Sequence, residues 1–304
     1  MNPGFYPASA LPMAQYLADP CAEPSLSSGA AHRLITRSPA HVYAQHPRMG
    51  AQEQEDTAAS DIGSIVHDLL LGGEGKICVI DPADYRSKPT KDNPEGSIPV
   101  GWTNNAIREA RDTARTNGLV PILASQMAGA RAMAAAARAF IATSELAGVL
   151  DEGEGESTMI WQEGETWFRA RPDWMNWQKK VMLHFKTTDT SANPEPFIRG
   201  VMANYGYDMA LAFYRRGFEA LHGQDDQWQH VILAQEQRDP YACSLIGLSP
   251  VMMALADDKV ERAVAIWRKC MNSRKWPAYS GSIHYAEPTA WQLAEAERMA
   301  QEAV

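Results

Sequence analysis

The stretch from residue 156 onward puts the tightest limit on what this chain folds into. TMIWQ (158–162), TWFRARPDW (166–174) and VMLHFKTT (181–188) are short runs rich in β-branched and aromatic residues, separated by polar turns such as EGE (163–165). Side chains of that kind fit a pleated, half-buried surface, so each run reads as a strand. Two further runs, QHVILAQEQ (229–237) and YACSLIGL (241–248), flank the turn RDP and read the same way.

Helices surround these strands. DIGSIVHDLLLG (61–72) places Ile62, Ile65, Val66, Leu69 and Leu70 on one face of an amphipathic helix. Ser27 or Ser28 is placed to cap a helix running to about Arg37, and Ser38-Pro39 gives an N-cap followed by Pro at the first helical position. Further helices are expected over 104–117, 125–142 and about 195–216, the last with Pro194 at its start and Gly217 after its end. Another runs from Ser249-Pro250 to about Met271, and a final one fills 288–303. AQEQEDTAAS (51–60) reads as a polar loop, and the Pro-, Gly- and Lys-rich 86–101 as a mobile one. The order implies an α/β (α+β) chain with a central mixed β-sheet of about five strands flanked by helices. Residues 1–150 read as a helical N-terminal part that contributes the 61–72 helix, and 151–304 as the core of a single domain.

Composition excludes several classes. In 304 residues, 45% hydrophobic and 21% charged side chains supply a core that a disordered chain lacks. Cys21, Cys78, Cys243 and Cys270 are far apart and show no CxxC spacing, which argues against a zinc or iron–sulfur site. No run of about 18 apolar residues predicts a membrane span, and the N-terminus lacks the basic and greasy regions of a signal peptide, so a cytoplasmic location is expected. The net charge of −9 argues against a surface that attracts nucleic acid as a whole. The charge is uneven, however: residues 151–165 hold six carboxylates and no Lys or Arg, while 169–216 hold eight Lys or Arg against four acids.

Within that basic stretch lies the pattern richest in chemistry. Asp173 ends the RARPD run, and His184 and Lys186 share one face of the next strand because residues i and i+2 project together. If the two strands pair antiparallel, Asp173 and His184 meet at one end of the sheet. An acid to anchor a hard cation, a second ligand, and a Lys two residues on form a constellation for metal-assisted phosphodiester cleavage.

PSLSSGAAHRLITRSPAHVYAQHPR (24–48), GSIVHDLLLG, ESTMIW, RARPDW, HFKTT, NYGYDMALAFY and RKWPAY cover nearly the whole chain. On these motifs the chain resembles the PD-(D/E)XK nuclease superfamily, and within it the RecE-type (exonuclease VIII-like) branch of phages and prophages. The resemblance implies a restriction-endonuclease-like core and a Mg²⁺-dependent exonuclease. Such an enzyme degrades linear double-stranded DNA and prepares single-stranded ends for recombination. It also implies a bacterial host cytoplasm, a single-strand annealing recombinase as a partner, and a homo-oligomeric ring. Carried over by residue, His67, Glu156 and Asp173 match metal-holding positions and Lys186 matches the catalytic lysine. Tyr214 matches the tyrosine of a Q-h-x-x-Y helix whose Gln is replaced here by Ala210.

The main departure is His184, which stands where the family places Asp or Glu. Imidazole suits Mn²⁺ or Zn²⁺ better than Mg²⁺ and removes a negative charge from the site. Three readings stay open: an active site with shifted metal preference, substitution by another carboxylate such as Asp189 or Glu156, or a silenced site. Glu156 also reads as part of a solvated acidic loop. Arg169 and Arg171 either contact phosphates or pair with the acidic 151–156 stretch. The tryptophans 161, 167, 174 and 177, with Tyr205 and Tyr207, read as packing. The rivals to the exonuclease are a catalytically silent DNA-binding or assembly protein of the same fold, and a nuclease acting on another nucleic acid.

Overall fold

The computed structural model describes residues 1–50, 58–72, 76–91, 93–225 and 227–302, with the side chains of 58–61 and 76 left aside. Its strands, in chain order, are β1 (Gly4–Tyr6), β2 (Ser25–Ser27), β3 (Lys76–Ile80), β4 (Leu119–Leu123), β5 (Glu154–Gly155), β6 (Thr158–Glu163), β7 (Thr166–Ala170), β8 (Trp174–Asn176), β9 (Val181–Thr188), β10 (Gln229–Glu236) and β11 (Cys243–Gly247). They form a five-stranded sheet ordered β11-β10-β9-β8-β5, a four-stranded sheet ordered β1-β6-β7-β2, and a β3–β4 pair.

The five-stranded sheet is mixed as expected, with β9 and β10 parallel and β8–β9, β5–β8 and β10–β11 antiparallel. It is not built from the five expected runs, however: TMIWQ and TWFRA lie in the four-stranded sheet as β6 and β7. Parallel neighbours need a crossover, and the helical run from Pro194 through the Tyr207–His222 helix supplies it. Strand β9 reads as a near-continuous apolar run because both its faces are covered. Met182 packs with Trp161, Phe168 and Phe213 on one side. Leu183 and Phe185 pack on the other against Ile65, Val66 and Leu70 of the Ala58–Leu71 helix and Ala134 and Ala137 of the Ala124–Ala142 helix.

The structure departs from the sequence reading in three places. TWFRARPDW is not one strand but two, and the chain leaves the four-stranded sheet after β7 and enters the five-stranded one at β8. The break falls at Arg171-Pro172-Asp173, where Pro has no N–H for a ladder. Residues 1–150 carry four short strands besides helices, and β1 and β2 join the sheet of β6 and β7. The helix expected to stop before Gly217 runs on to His222, because Gly217 serves a close approach: a Cβ there would stand 2.6 Å from Trp161 Cζ3. The Ser27 cap (hydroxyl to Ala30 N, 3.4 Å) and the Ser249 cap (to Met252 N, 3.2 Å) are as expected. Of the expected 51–60 loop, residues 51–57 lie outside the described residues, and 58–60 are helical. Among the described residues no helix is long and apolar enough to cross a membrane.

Candidate active site

Asp173 sits at the corner between the two sheets. Trp174 pairs with Leu183 in the antiparallel β8–β9 ladder, so the register carried one step further sets Asp173 beside His184. Beyond that point β9 runs on without β8, and the Asp173 carboxylate fills the gap. Its Oδ2 accepts from the Phe185 amide at 2.8 Å and from Lys186 Nζ at 3.0 Å. Burial opposes ionisation of Asp173, but Lys186, then His67, outweigh it and hold the carboxyl below its usual range. Burial likewise opposes charge on Lys186, and Asp173 overrides it, so the lysine is held protonated.

Two other elements converge on this corner. The Ala58–Leu71 helix lies so close to β9 that a Cβ on Gly63 would stand 3.2 Å from Thr187 Oγ1. One turn on, on the same face, His67 lies among three acids, with Nε2 3.9 Å from Asp173 Oδ1 and Nδ1 3.8 Å from Glu156 Oε1 and 3.6 Å from Asp68 Oδ1. Burial works to discharge His67, but Asp68, Asp173 and Glu156 raise its pKa overall. Glu156 precedes β6 in a left-handed backbone conformation (φ 52°), and its amide donates to Asp173 O at 3.1 Å. Non-glycine residues held there store strain of about 1–3 kcal/mol and cluster at functional sites. The solvated-loop reading of Glu156 therefore does not hold: the side chain is buried and its Oε2 meets Arg171 Nη2 at 3.1 Å.

The arginines are a correction to one of their two readings. Arg169 donates to Ser25 O and Oγ at 3.0 and 2.6 Å and lies 3.2 Å from Asp19. Arg171 donates to Leu11 O at 2.7 Å, to Thr158 Oγ1 at 3.0 Å and to Glu156. Both guanidinium groups are buried among these partners and neither faces a solvent-borne phosphate. Arg171 is the one that pairs with the acidic stretch, and it thereby fixes Glu156.

His184 is 1% exposed, and its ring stacks on Tyr214 with centroids 4.6 Å apart at 12°. Burial pushes its pKa down to about 3, so the imidazole is neutral at working pH. Neither ring nitrogen has a hydrogen-bond partner among the described residues. Tyr214 belongs to the Tyr207–His222 helix, with Ser28 near its hydroxyl. Asp189 lies exposed just past the end of β9.

Two carboxylates with one oxygen each turned toward His67 fit a divalent cation, and the neutral His184 imidazole on β9 has buried nitrogens without partners of their own among the described residues. Asp173 Oδ1 and His67 Nε2 are within the span that two bonds of about 2.1 Å to one ion cover. Among the described residues no three such side chains already stand at ligand spacing, so cation binding involves side-chain adjustment of His67 or Glu156.

The chain matches, over residues 28–289, the model of a family described as "PDDEXK-like domain of unknown function (DUF3799)". No curated protein matches it. Among solved structures it resembles a "Putative exonuclease" from Eubacterium rectale at 12% identity and a TM-score of 0.55, with 90% of this chain and 93% of that one covered. It also aligns with SSO0001 at 14% identity over 74% of this chain and 98% of that one, but the TM-score of 0.28 carries no argument.

Proposed function

The chain belongs to the family of PDDEXK-like domains, and from that premise we propose that it is a divalent-metal-dependent exonuclease of the RecE type. Its substrate is linear double-stranded DNA and its product single-stranded ends. The observation that carries the reading is the convergence of Asp173, Lys186, His67 and Glu156 at the corner where β8 and β9 part. The fold shared with the Eubacterium rectale protein, itself described as a "Putative exonuclease", supports the same reading.

Asp173, Glu156 and His67 would hold the cation, with neutral His184 as a further donor in place of the family's acid. A bound divalent ion supplies Lewis-acid polarisation of the phosphate and activation of water. Lys186, held protonated by Asp173, acts as a donor and not as a base: it stabilises charge growing on the phosphate or orients the attacking water. Tyr214 covers the His184 ring and keeps solvent from that side of the strand. On this reading the single strands feed an annealing recombinase in the cytoplasm of a bacterial host, and the chain acts as a homo-oligomeric ring.

The burial of His184 where an acid is expected favours a second reading, a silenced DNA-binding or assembly protein. Digestion of end-labelled linear duplex with Mg²⁺ or Mn²⁺ separates the two, comparing the native chain with Lys186→Ala and His184→Asp. Cutting by the native chain that Lys186→Ala abolishes supports the exonuclease. Cutting only by His184→Asp supports the silenced form. If folded proteins of all three kinds leave the duplex intact, the nuclease reading fails.

A further inference from the structure

Tyr205 is 65% exposed, although it lies in a helical run next to the candidate site. Its ring stacks on Tyr207, with centroids 5.7 Å apart at 17°. Tyr207 in turn lies beneath the catalytic lysine, with Lys186 Nζ 5.9 Å from its ring centroid. In a continuous helix residues i and i+2 point to different sides and such rings do not meet. They meet here because Gly206 between them is left-handed (φ 67°) and breaks the helix. The corner is built in: a Cβ at residue 206 would overlap the His32 imidazole, so no other residue fits, and Phe197 stacks on Tyr207 at 6.3 Å.

The result is an aromatic step that starts at the Lys186 ammonium and ends in a bare π-face open to solvent. We propose that the outer face of Tyr205 stacks on a nucleobase of the strand whose neighbouring phosphate lies at Lys186 and Asp173, and so seats an unpaired strand end in the site. This deepens the exonuclease reading and rests on it. A base recognised by its face and not its edge leaves the choice of sequence open, which suits an enzyme that degrades any strand. An unpaired base can turn its face outward and away from the stack, which a base held in a pair does not, so the proposal makes the unpaired end the species held.

The test uses the full chain with Ca²⁺ in place of Mg²⁺, and duplexes with an unpaired end carrying 2-aminopurine at the terminal positions of either strand. Stacking on a tyrosine quenches 2-aminopurine. The native chain is expected to quench it, Tyr205→Trp to quench it at least as well, and Tyr205→Ala to lose the quenching and bind about tenfold or more weakly. In Mg²⁺ or Mn²⁺, Tyr205→Ala should raise KM by a similar factor and change kcat less, because the lysine and the acids are untouched. If Tyr205→Ala quenches, binds and cuts as the native chain does, the stacking role is wrong and the exonuclease reading stands. If the native chain neither binds nor cuts DNA while folded, both fall.

Discussion

Arg171 Nη2 lies 3.1 Å from Glu156 Oε2, and the same guanidinium reaches back to the carbonyl of Leu11. Through this one side chain the N-terminal segment fixes an acid of the candidate metal site. Removing the guanidinium leaves the buried Glu156 carboxylate without its hydrogen-bonded partner and with His67 3.8 Å away, which costs up to about 3–5 kcal/mol. Arg171→Gln is therefore expected to lower unfolding stability by that order and to raise the metal concentration needed for half-maximal activity. Arg171→Lys, which keeps the charge but not the fork, should fall between. Urea unfolding with a metal titration of activity checks both, and a native metal requirement in Arg171→Gln would refute the positioning role.

Gly63 marks how closely the His67 helix approaches β9. Ala at 63 adds helix propensity worth up to about 1 kcal/mol but brings its Cβ to 3.2 Å from Thr187 Oγ1, which accepts from Gln237 Nε2 at 3.0 Å. The two effects nearly cancel, so Gly63→Ala should stay within about 1 kcal/mol of native stability. Gly63→Leu cannot fit without moving the helix. It should cost about 1–3 kcal/mol and lower activity more than tenfold, since His67 moves with the helix. Full activity in a folded Gly63→Leu would show that His67 is not needed at its place.

Acid should destabilise the fold through histidines that burial keeps neutral. His230 is pushed down to about 4 by burial and then by Arg215, from an ordinary value of 6.5. Between these values the unfolded chain takes up a proton that the native chain refuses. Stability present above pH 6.5 is therefore lost as pH falls toward 4, by on the order of 3 kcal/mol for this group. His184 acts in the same direction. Unfolding free energies at pH 7.5, 6 and 5 should show a flatter profile for His230→Leu, and an unchanged slope would exclude His230 as the cause.

The periodicity of 61–72 and the spacing of RPD to HFKTT made the His67 helix and the β8–β9 hairpin legible in the sequence. Both are local patterns. The sheet switch at Pro172 was hidden, since alternation continues on both sides of it. The parallel β3–β4 pair was hidden because KICVI and LVPIL are short runs whose pairing depends on contacts across an intervening helix. The burial of Arg171 depends on the Leu11 carbonyl, 160 residues away in sequence, which no window along the chain reveals. Tyr205, read as packing, does stack on Tyr207, but its exposure was hidden because the two-residue spacing of that stack exists only through the turn at Gly206.

His184 gives the last prediction. A neutral imidazole in place of an acid lowers the negative charge available to a hard cation and favours Mn²⁺ over Mg²⁺. Any ion that binds the folded chain alone stabilises it by RT ln(1 + [L]/Kd), about 2.7 kcal/mol at one hundred times Kd. Mn²⁺ is therefore expected to raise the Tm of the native chain more than Mg²⁺ at equal concentration. His184→Asp should narrow or reverse that difference, since its carboxylate restores the charge. Asp173→Asn, which removes the charged oxygen facing His67, should abolish both shifts. Equal shifts with the two ions in the native chain, unchanged in His184→Asp, would remove His184 from the ligand set, and shifts that persist in Asp173→Asn would place the cation elsewhere.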